Sequence, residues 1–405
     1  MHNRTNSSSM KATIQHTFLI ILLLLTATIN AQNATINFIQ NDLKLALEQS
    51  KSSKKMIFVM VYANWCTHCN KMKNTVLKES SVITFYNSNF ISVMMDYESP
   101  AGKEIMKKYS IKSFPAFLFL DENETHLYST GGEFTAENFI AEGQKALNPN
   151  AQLPFLEKQF NADTSNAEKC LLYLNSLRKS VDSFKSDEIT AKYLATQTRE
   201  QLFTPINWKI IAYGVNNLNS KPFDLIIKNQ TEFASVSSAK RVEVKIVSVV
   251  NKTLTQDMNN LDSVSYSKNR IVAKNINLRK VDSLVFKNDL QMYEGIKSWK
   301  NYQQTTLESV EKLAWNDYST INSISKVYID HINEKEALKK AIYWAKRSVE
   351  LNIASENTIL LAKLYKKTDD KKMAIENARK AKAIITAMGW DTVEIDKLYA
   401  DFGIK

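Results

Sequence analysis

Apolar runs and helix-like segments alternate along residues 32–147. MIFVMVY (56–62), FISVMMD (90–96) and AFLFL (116–120) are continuously apolar, which is typical of strands buried on both faces of a sheet. Between these runs, apolar residues recur at helical spacing. This alternation predicts an α/β domain built on a central sheet.

The pattern changes after NPNAQLP (148–154), whose two prolines indicate a linker. No proline follows Pro222, and the chain beyond it holds only three glycines. Few helix breakers, together with abundant Lys, Ala, Leu and Ile, predict an all-helical domain over 155–310 and further helices beyond it. The β-branched segment at 237–250 is compatible with a strand, but we favour a helix because no hairpin partner is visible.

A degenerate repeat is visible over residues 311–405. Small and aromatic residues occur where two packed helices would need them, at Leu361, Ala362, Tyr365, Ala374 and Ala381. Residues 354–387 therefore resemble one tetratricopeptide unit, and an earlier copy places Ala341 in register with Ala374. Two units bury too little surface to stand alone, so we expect them to pack on the helices of 155–310. Their role is either scaffolding or the docking of a partner.

The longest apolar run, TFLIILLLLTATINA (17–31), lies near the N-terminus and follows Lys11. Its uncharged core is short for a membrane span, and it ends in small residues. We interpret 1–31 as a secretory signal peptide cleaved near Ala31, with an uncleaved N-terminal anchor as the alternative. No later stretch has spanning length, so the mature chain is expected to be exported and to lack a transmembrane span.

Composition and charge add one constraint on partners. The chain has 44% hydrophobic and 23% charged residues, which is ordinary for a globular protein. Residues 32–150 hold 12 basic and 12 acidic residues, so the positive surplus of the mature chain follows residue 150. This surplus lacks the arginine, glycine and aromatic interleaving of nucleic-acid binders, and we expect no nucleic-acid partner. It is either the solvated surface of lysine-rich helices or a face for an acidic partner or anionic membrane.

Two of the three cysteines lie close together in VYANWCTHCNKMK (61–73). Cys66 and Cys69 are separated by two residues, with Trp65 before them and His68 between them. Disulfides persist in exported proteins, and three cysteines are too few for a disulfide scaffold. The spacing therefore indicates a redox pair whose reversible disulfide requires no further cofactor.

The order of elements explains why this pair can be reactive. A buried strand leads into a helix, so Cys66 lies where free backbone amides and the helix dipole favour an anion. We expect Cys66 to be an exposed attacking thiolate. We expect Cys69, one helical turn later, to face inward and to resolve the mixed disulfide that Cys66 forms with a substrate.

The chain resembles the thioredoxin superfamily in residues 56–80, in YSIKSFPAFLFLDENE (109–124) and in GGEF (131–134). It is most similar to the exported bacterial branch, in which a thioredoxin-like α/β domain precedes an all-α, tetratricopeptide-like region. The strong resemblance covers about 35–147. It implies a disulfide oxidoreductase that acts on protein thiols and disulfides, is recycled by a redox partner and works in the periplasm.

The resemblance also implies roles for individual residues. Trp65 would cover the loop and limit solvent access, and Pro115 would be a cis-proline facing the disulfide. The backbone of Phe114 would then offer an edge to which a substrate strand can pair. His68 resembles the histidine of disulfide isomerases and oxidases, where a partly cationic imidazole helps to hold the first thiolate. This favours an oxidising or isomerising direction, and a reducing direction stays open.

Three positions depart from the thioredoxin pattern. Met60 stands where the family has a buried acid that relays protons to the second cysteine, and Ser92 where it has a buried lysine. Asn74 replaces a helix-kinking proline. Proton transfer from Cys69 is therefore expected to use water, His68 or another group, which affects the rate more than the chemistry.

The motif has two other interpretations, a metal site and a non-catalytic adaptor. Cys66, His68 and Cys69 would form an incomplete metal site, because they are too close in a helix start and no second Cys/His pair follows, so no metal is expected. A non-catalytic adaptor would use the thioredoxin fold as a platform and bind partners through the repeats, but it would not need two thiols. Cys170 lies among apolar residues at helical spacing and is expected to be a buried small hydrophobe.

Overall fold

The computed structural model describes residues 35–111, 113–179, 183–401 and 403. The predicted signal peptide at 1–31 lies outside the described residues. The chain forms two compact units, one comprising residues up to 202 with 209–214, and the other comprising 203–208 with the residues from 215 onward. The domain boundaries inferred from the linker at 148–154 stay predictions.

The first unit is built on a five-stranded sheet in the order β1-β3-β2-β4-β5. The strands are β1 (Phe38–Gln40), β2 (Met56–Tyr62), β3 (Phe90–Asp96), β4 (Ala116–Leu120) and β5 (His126–Gly131). Strands β1 and β2 run parallel to β3, whereas β4 is antiparallel to both β2 and β5. The predicted α/β domain is confirmed, and the three continuously apolar runs are strands with the predicted bounds.

Helices surround this sheet and extend the unit beyond it. In chain order they are α1 (Leu43–Ser53), α2 (Thr67–Asn74), α3 (Ser80–Asn89), α4 (Pro100–Lys108), α5 (Ala136–Leu147), α6 (Leu153–Ala162), α7 (Ala167–Lys179), α8 (Ser183–Leu194), α9 (Arg199–Leu202) and α10 (Pro205–Gly214), of which 205–208 are assigned to the second unit. Single 3₁₀ turns occur at Val76–Lys78 and Pro149–Ala151. Asp42 caps α1 by accepting the Leu45 N–H at 2.9 Å.

Strand β2 contributes to two hydrophobic clusters, because its side chains alternate between the faces of the sheet. Phe58 and Met60 belong to the cluster that also contains Cys69 and Met72 of α2. The residues of β2 in the other cluster are Ile57, Val59 and Val61. Burial on both faces explains why the strand is apolar without alternation, and it anchors α2 against the sheet.

Helices α6 and α7 contact strand β5 within the first unit. Cys170 lies in α7 and is fully buried, which raises its pKa to about 12. The prediction that Cys170 is a buried hydrophobic residue is confirmed. The sheet is therefore covered in part by residues that follow the predicted linker.

The second unit is helical, and within the described residues no strand follows β5. Its helices are α11 (Lys221–Lys228), α12 (Gln230–Val236), α13 (Ala239–Asn259), α14 (Ser263–Lys274), α15 (Arg279–Gly295), α16 (Trp299–Ser309), α17 (Tyr318–His331), α18 (Lys335–Leu351), α19 (Ser355–Lys367), α20 (Lys371–Ala387) and α21 (Val393–Asp401). The ambiguous segment at 237–250 lies mostly in α13, which confirms the helix. In the part of the chain that the structure describes, none of the helices combines the length and apolar character needed to cross a membrane.

The predicted repeat at 354–387 forms the helix pair α19 and α20. Its small and aromatic positions are buried, namely Leu361, Ala362, Tyr365, Ala374 and Ala381. One hydrophobic cluster joins these residues to Phe286 and Leu290 of α15. The repeat region therefore packs on the helices that precede it, as predicted, while its tetratricopeptide character stays a prediction.

His126 opens strand β5 with a largely buried imidazole. Its ring lies edge-on to Tyr109 with the centroids 5.7 Å apart, and its Nε2 has no hydrogen-bond partner within the described residues. Burial disfavours the charged imidazolium and lowers the pKa of His126 to about 4.

We expect acid to destabilise strands β4 and β5 through His126. The unfolded chain binds a proton at this residue below pH 6.5, whereas the folded chain does so only near pH 4. The free energy of unfolding should be constant above that window and fall by up to about 3 kcal/mol as the pH drops through it. Urea-dependent hydrogen exchange of the β4 and β5 peptides at pH 7 and pH 4.5 measures this loss. His126→Gln should reduce the loss by about 2 kcal/mol, and an unchanged loss would contradict the assignment.

Candidate active site

The loop after strand β2 brings Cys66 to the start of helix α2. The Cys66 N–H donates to the Ala63 carbonyl at 3.2 Å, and the helix begins at Thr67. The Cys66 sulfur caps the helix by accepting the Cys69 N–H at 3.2 Å. This is the position at which free amides and the helix dipole stabilise a negative charge.

The two cysteines differ in burial. Cys66 is 7% exposed, and Cys69 is completely buried. Both are free thiols, and burial, reinforced by the hydrogen bond with Cys66, raises the pKa of Cys69 to about 12. Cys66 was predicted to be exposed and is much less so, because its sulfur is enclosed between the helix start and the Phe114 carbonyl. The inward position predicted for Cys69 is confirmed.

The Phe114–Pro115 segment lies directly against the Cys66 sulfur. The Cys66 thiol donates a long hydrogen bond of 3.7 Å to the Phe114 carbonyl oxygen. The peptide bond between Phe114 and Pro115 is cis, as the sequence predicted. The Gly132 N–H donates to the Pro115 carbonyl at 2.9 Å, which ties this segment to the end of β5. The structure therefore brings residues 48 positions apart into contact at the motif.

Trp65 is 65% exposed and forms the outer wall of the motif. Its ring lies edge-on to Tyr97, with centroids 6.0 Å apart, and edge-on to Phe114, with centroids 6.1 Å apart. Tyr97 and Phe114 also contact each other, with their centroids 5.0 Å apart. Sequence reasoning singled out Trp65 alone, and no signal in the sequence connected it to Tyr97, which follows a different strand.

His68 faces solvent and is held by a carboxylate that sequence reasoning missed. Its Nδ1–H donates to Glu133 Oε2 at 2.9 Å, and Lys71 forms an ion pair with the other carboxylate oxygen. Lys71 first, and His68 second, hold the pKa of Glu133 below its usual value. Glu133 follows the Gly131–Gly132 pair, so the GGEF segment was the available signal.

These contacts bear on metal binding. The imidazole of His68 turns outward to Glu133, whereas Cys69 faces the core, so the three candidate ligands do not converge. Within the described ranges, no three His, Cys, Asp or Glu side chains form a group that could hold a metal ion. The two thiols instead form a pair in which Cys69 is buried behind the slightly exposed Cys66.

Comparisons with known proteins agree with this arrangement. The family described as a thioredoxin-like domain matches residues 43–147. Thioredoxin-1 of Drosophila yakuba is 30% identical over 93 residues, which cover 82% of that protein and 23% of this chain. The chain belongs to the thioredoxin family.

Two of the relatives are longer than the part of them that this chain matches. The protein disulfide-isomerase of Datisca glomerata is 23% identical over 208 residues, which are 49% of this chain and 40% of that protein. The thiol:disulfide interchange protein DsbD of Colwellia psychrerythraea is 28% identical over 120 residues, which are 28% of this chain and 20% of that protein. The chain thus spans less than half the length of both of these relatives.

Two of the positions that depart from the thioredoxin pattern lie in the core of the domain, and neither holds an acid or a base. Met60 is fully buried in the same cluster as Cys69, and its thioether cannot relay a proton. Ser92 is also buried, and its hydroxyl has no hydrogen-bond partner in the part of the chain that the structure describes. Asn74 is the last residue of α2. These three positions therefore offer neither a carboxylate nor an ammonium group.

We expect native-state alkylation of the reduced protein to modify Cys66 selectively. Burial raises the pKa of both Cys69 and Cys170 to about 12, so neither supplies thiolate at pH 8. Peptide mass spectrometry after brief iodoacetamide treatment should find Cys66 labelled, and all three cysteines labelled in denaturant. Cys66→Ser should remove the rapid phase. Labelling of Cys69 as fast as Cys66 would contradict the arrangement.

Proposed function

We propose that the protein is a thiol–disulfide oxidoreductase that acts on protein substrates through Cys66 and Cys69. The observation that carries this proposal is the position of the Cys66 sulfur, which caps helix α2 and lies against the Phe114 carbonyl with Cys69 buried behind it. A purely structural pair of thiols would have no need of the helix-start position. The thioredoxin, disulfide-isomerase and interchange relatives support the same class of reaction.

In the reducing direction, the Cys66 thiolate attacks one sulfur of a substrate disulfide. The substrate's S–S bond breaks, its other sulfur leaves as a thiolate that takes up a proton, and a mixed disulfide joins Cys66 to the substrate. Cys69 then loses its proton and attacks the Cys66 sulfur, which releases the substrate as a second thiol. The substrate gains two electrons, and the Cys66–Cys69 pair loses them. Oxidation of a substrate dithiol is the reverse sequence.

The neighbouring residues support substrate binding in this proposal. The backbone at Phe114 and Pro115 offers an edge beside Cys66 to which an extended substrate segment can pair. Trp65, with its large exposed ring, supplies apolar contact surface at the rim of the motif. His68 is the residue we assign to tuning the stability of the thiolate, with Glu133 fixing its ring.

We infer an oxidising or isomerising direction from His68. An imidazole in the motif can carry positive charge near the thiolate, and stabilising the reduced form makes the disulfide a stronger oxidant. The negative charge of Glu133 lies on the same side and moderates this effect.

The rest of the chain suggests where the protein works and how it selects partners. The apolar run at 17–31 supports export, with the periplasm as the expected compartment and a second redox protein to recycle the pair. The helices of 155–405, with their repeat-like pairs and positive surplus, are proposed to dock a partner.

Replacement of Cys69 by Ala should trap substrates as mixed disulfides on Cys66, because the resolving thiol is missing. Affinity purification of the full-length variant, followed by non-reducing electrophoresis and mass spectrometry, should recover reductant-sensitive adducts. Cys66→Ser is the matched control and should trap none. Full biological activity in a variant with both cysteines changed to Ser would instead establish the adaptor role.

The reduction potential of the pair should be less negative than about −230 mV, outside the range of reducing thioredoxins. Equilibration with glutathione, read by alkylation and mass spectrometry, measures it. His68→Gln should make the potential more negative by removing the imidazole. A wild-type potential near −270 mV, about that of a reducing thioredoxin, would reverse the inferred direction.

A further inference from the structure

Cys69 presents the main electrostatic difficulty of the proposed reaction. It must become a thiolate to release the substrate, yet it is completely buried, and burial raises its pKa to about 12. Met60 packs in the same cluster and offers no charge or proton. The proposed second step therefore needs a group that favours the anion at this sulfur.

Lys73 lies in the right place to be that group. It follows Cys69 by four residues on helix α2, so the two side chains lie on the same face of the helix. Its ammonium nitrogen lies 4.1 Å above the centroid of the Tyr62 ring, at the end of strand β2. Cys69 belongs to the hydrophobic cluster that includes Ala63 and against which Tyr62 packs, at this same end of the strand.

Lys73 also has its charge available for this purpose. Among the described residues it forms no ion pair with a carboxylate, unlike Lys71, which is bound to Glu133. The aromatic ring of Tyr62 holds the ammonium without neutralising it. Lys73 is partly buried, so its field is screened less than that of a fully exposed lysine.

We propose that Lys73 is a positioning residue for the resolving step, where its positive charge, held over Tyr62, favours the thiolate of Cys69. This inference rests on the proposed oxidoreductase function and adds a residue to it. The charge takes over part of the task that a buried acid and lysine would otherwise share.

In the resolving step, the Cys66 sulfur exchanges its bond to the substrate for a bond to Cys69. The Cys69 thiol gives its proton to water, and its thiolate attacks the Cys66 sulfur of the mixed disulfide. The Cys66–Cys69 bond forms as the bond from Cys66 to the substrate sulfur breaks. The substrate sulfur leaves with the electron pair and takes up a proton. Lys73 takes no part in the proton transfer and acts only through its charge.

The pH dependence of this step involves the other charged groups around the pair. On α2 itself these are Cys66 and, on the exposed side, the His68–Lys71 pair with Glu133. From the sheet, the Tyr62 phenol faces Lys73, and burial first, then Asp96 of β3, keeps the pKa of Tyr62 above its usual value. Tyr62 therefore ionises at higher pH than a free tyrosine.

The experiment compares Lys73→Met, which keeps the aliphatic contact with the ring, with Lys73→Arg, which keeps the charge. Lys78→Met, an exposed lysine in the 3₁₀ turn after α2, is the matched control. Stopped-flow single turnovers of the reduced full-length protein with a disulfide peptide measure the resolving rate from pH 6 to 10. The same peptide with each variant in a Cys69→Ala background measures the attack by Cys66 alone.

At pH 7, Lys73→Met should slow resolution by about three- to tenfold, and the deficit should persist up to pH 9 because the Cys69 pKa of about 12 lies above this range. Lys73→Arg and Lys78→Met should behave as wild type, and the Cys66 attack should be unchanged. A wild-type profile in Lys73→Met would overturn the proposal. An equal loss in Lys73→Met and Lys73→Arg would also overturn it, by indicating a packing role.

A second measurement does not depend on catalysis. In a Cys66→Ser background, prolonged alkylation of Cys69 at pH 9 should be about three- to tenfold slower with Lys73→Met and unchanged with Lys78→Met. Equal rates of Cys69 alkylation with and without Lys73→Met would overturn the role of Lys73 even where no redox activity is found. Absence of any mixed disulfide in Cys69→Ala, with this slowing present, would count against the oxidoreductase function alone.

Discussion

Helix α2 begins on a hydrogen bond to sulfur, and the candidate site depends on that bond. Strand β2 is buried on both faces, so its end is fixed, and the short loop after it can deliver only one residue to the first turn. That residue is Cys66, whose sulfur accepts the Cys69 amide. Because Cys69 and Met72 are anchored in the core, the helix cannot rotate to move the sulfur away from Phe114.

Charge around the motif is divided into an exposed group and a partly buried one. The exposed group joins His68 and Lys71 to Glu133, so its charges largely compensate one another and are screened by solvent. The partly buried group is Lys73 over the ring of Tyr62, with no carboxylate partner among the described residues. The two cysteines therefore lie in different electrostatic surroundings, which suits one thiol for attack and the other for release.

In the helical second unit, surface lysines form ion pairs, whereas a buried carboxylate is held by several hydrogen bonds. At its surface, lysines pair with acids two helices further along the chain, as in Lys326 with Glu356 and Lys363 with Glu394. In its interior, Asp289 is held by two hydrogen bonds from Arg270 and one from the Tyr266 hydroxyl. A buried carboxylate so fully bonded favours one packing of α14 against α15, since any alternative would leave a charge unpaired.

The sequence alone determined the features that depend on local pattern. Continuously apolar runs identified β2, β3 and β4, scarce helix breakers identified the helical region, and the two-residue spacing placed Cys66 at a helix start with Cys69 facing inward. Contacts between distant segments were decided only by the tertiary structure. Glu133 reaches His68, and Tyr97 reaches Trp65, because separate strands end at the same edge of the sheet. The burial of Cys66 against Phe114 also results from contact between distant segments. The exposure of a side chain depends on tertiary packing and cannot be read from the local sequence pattern.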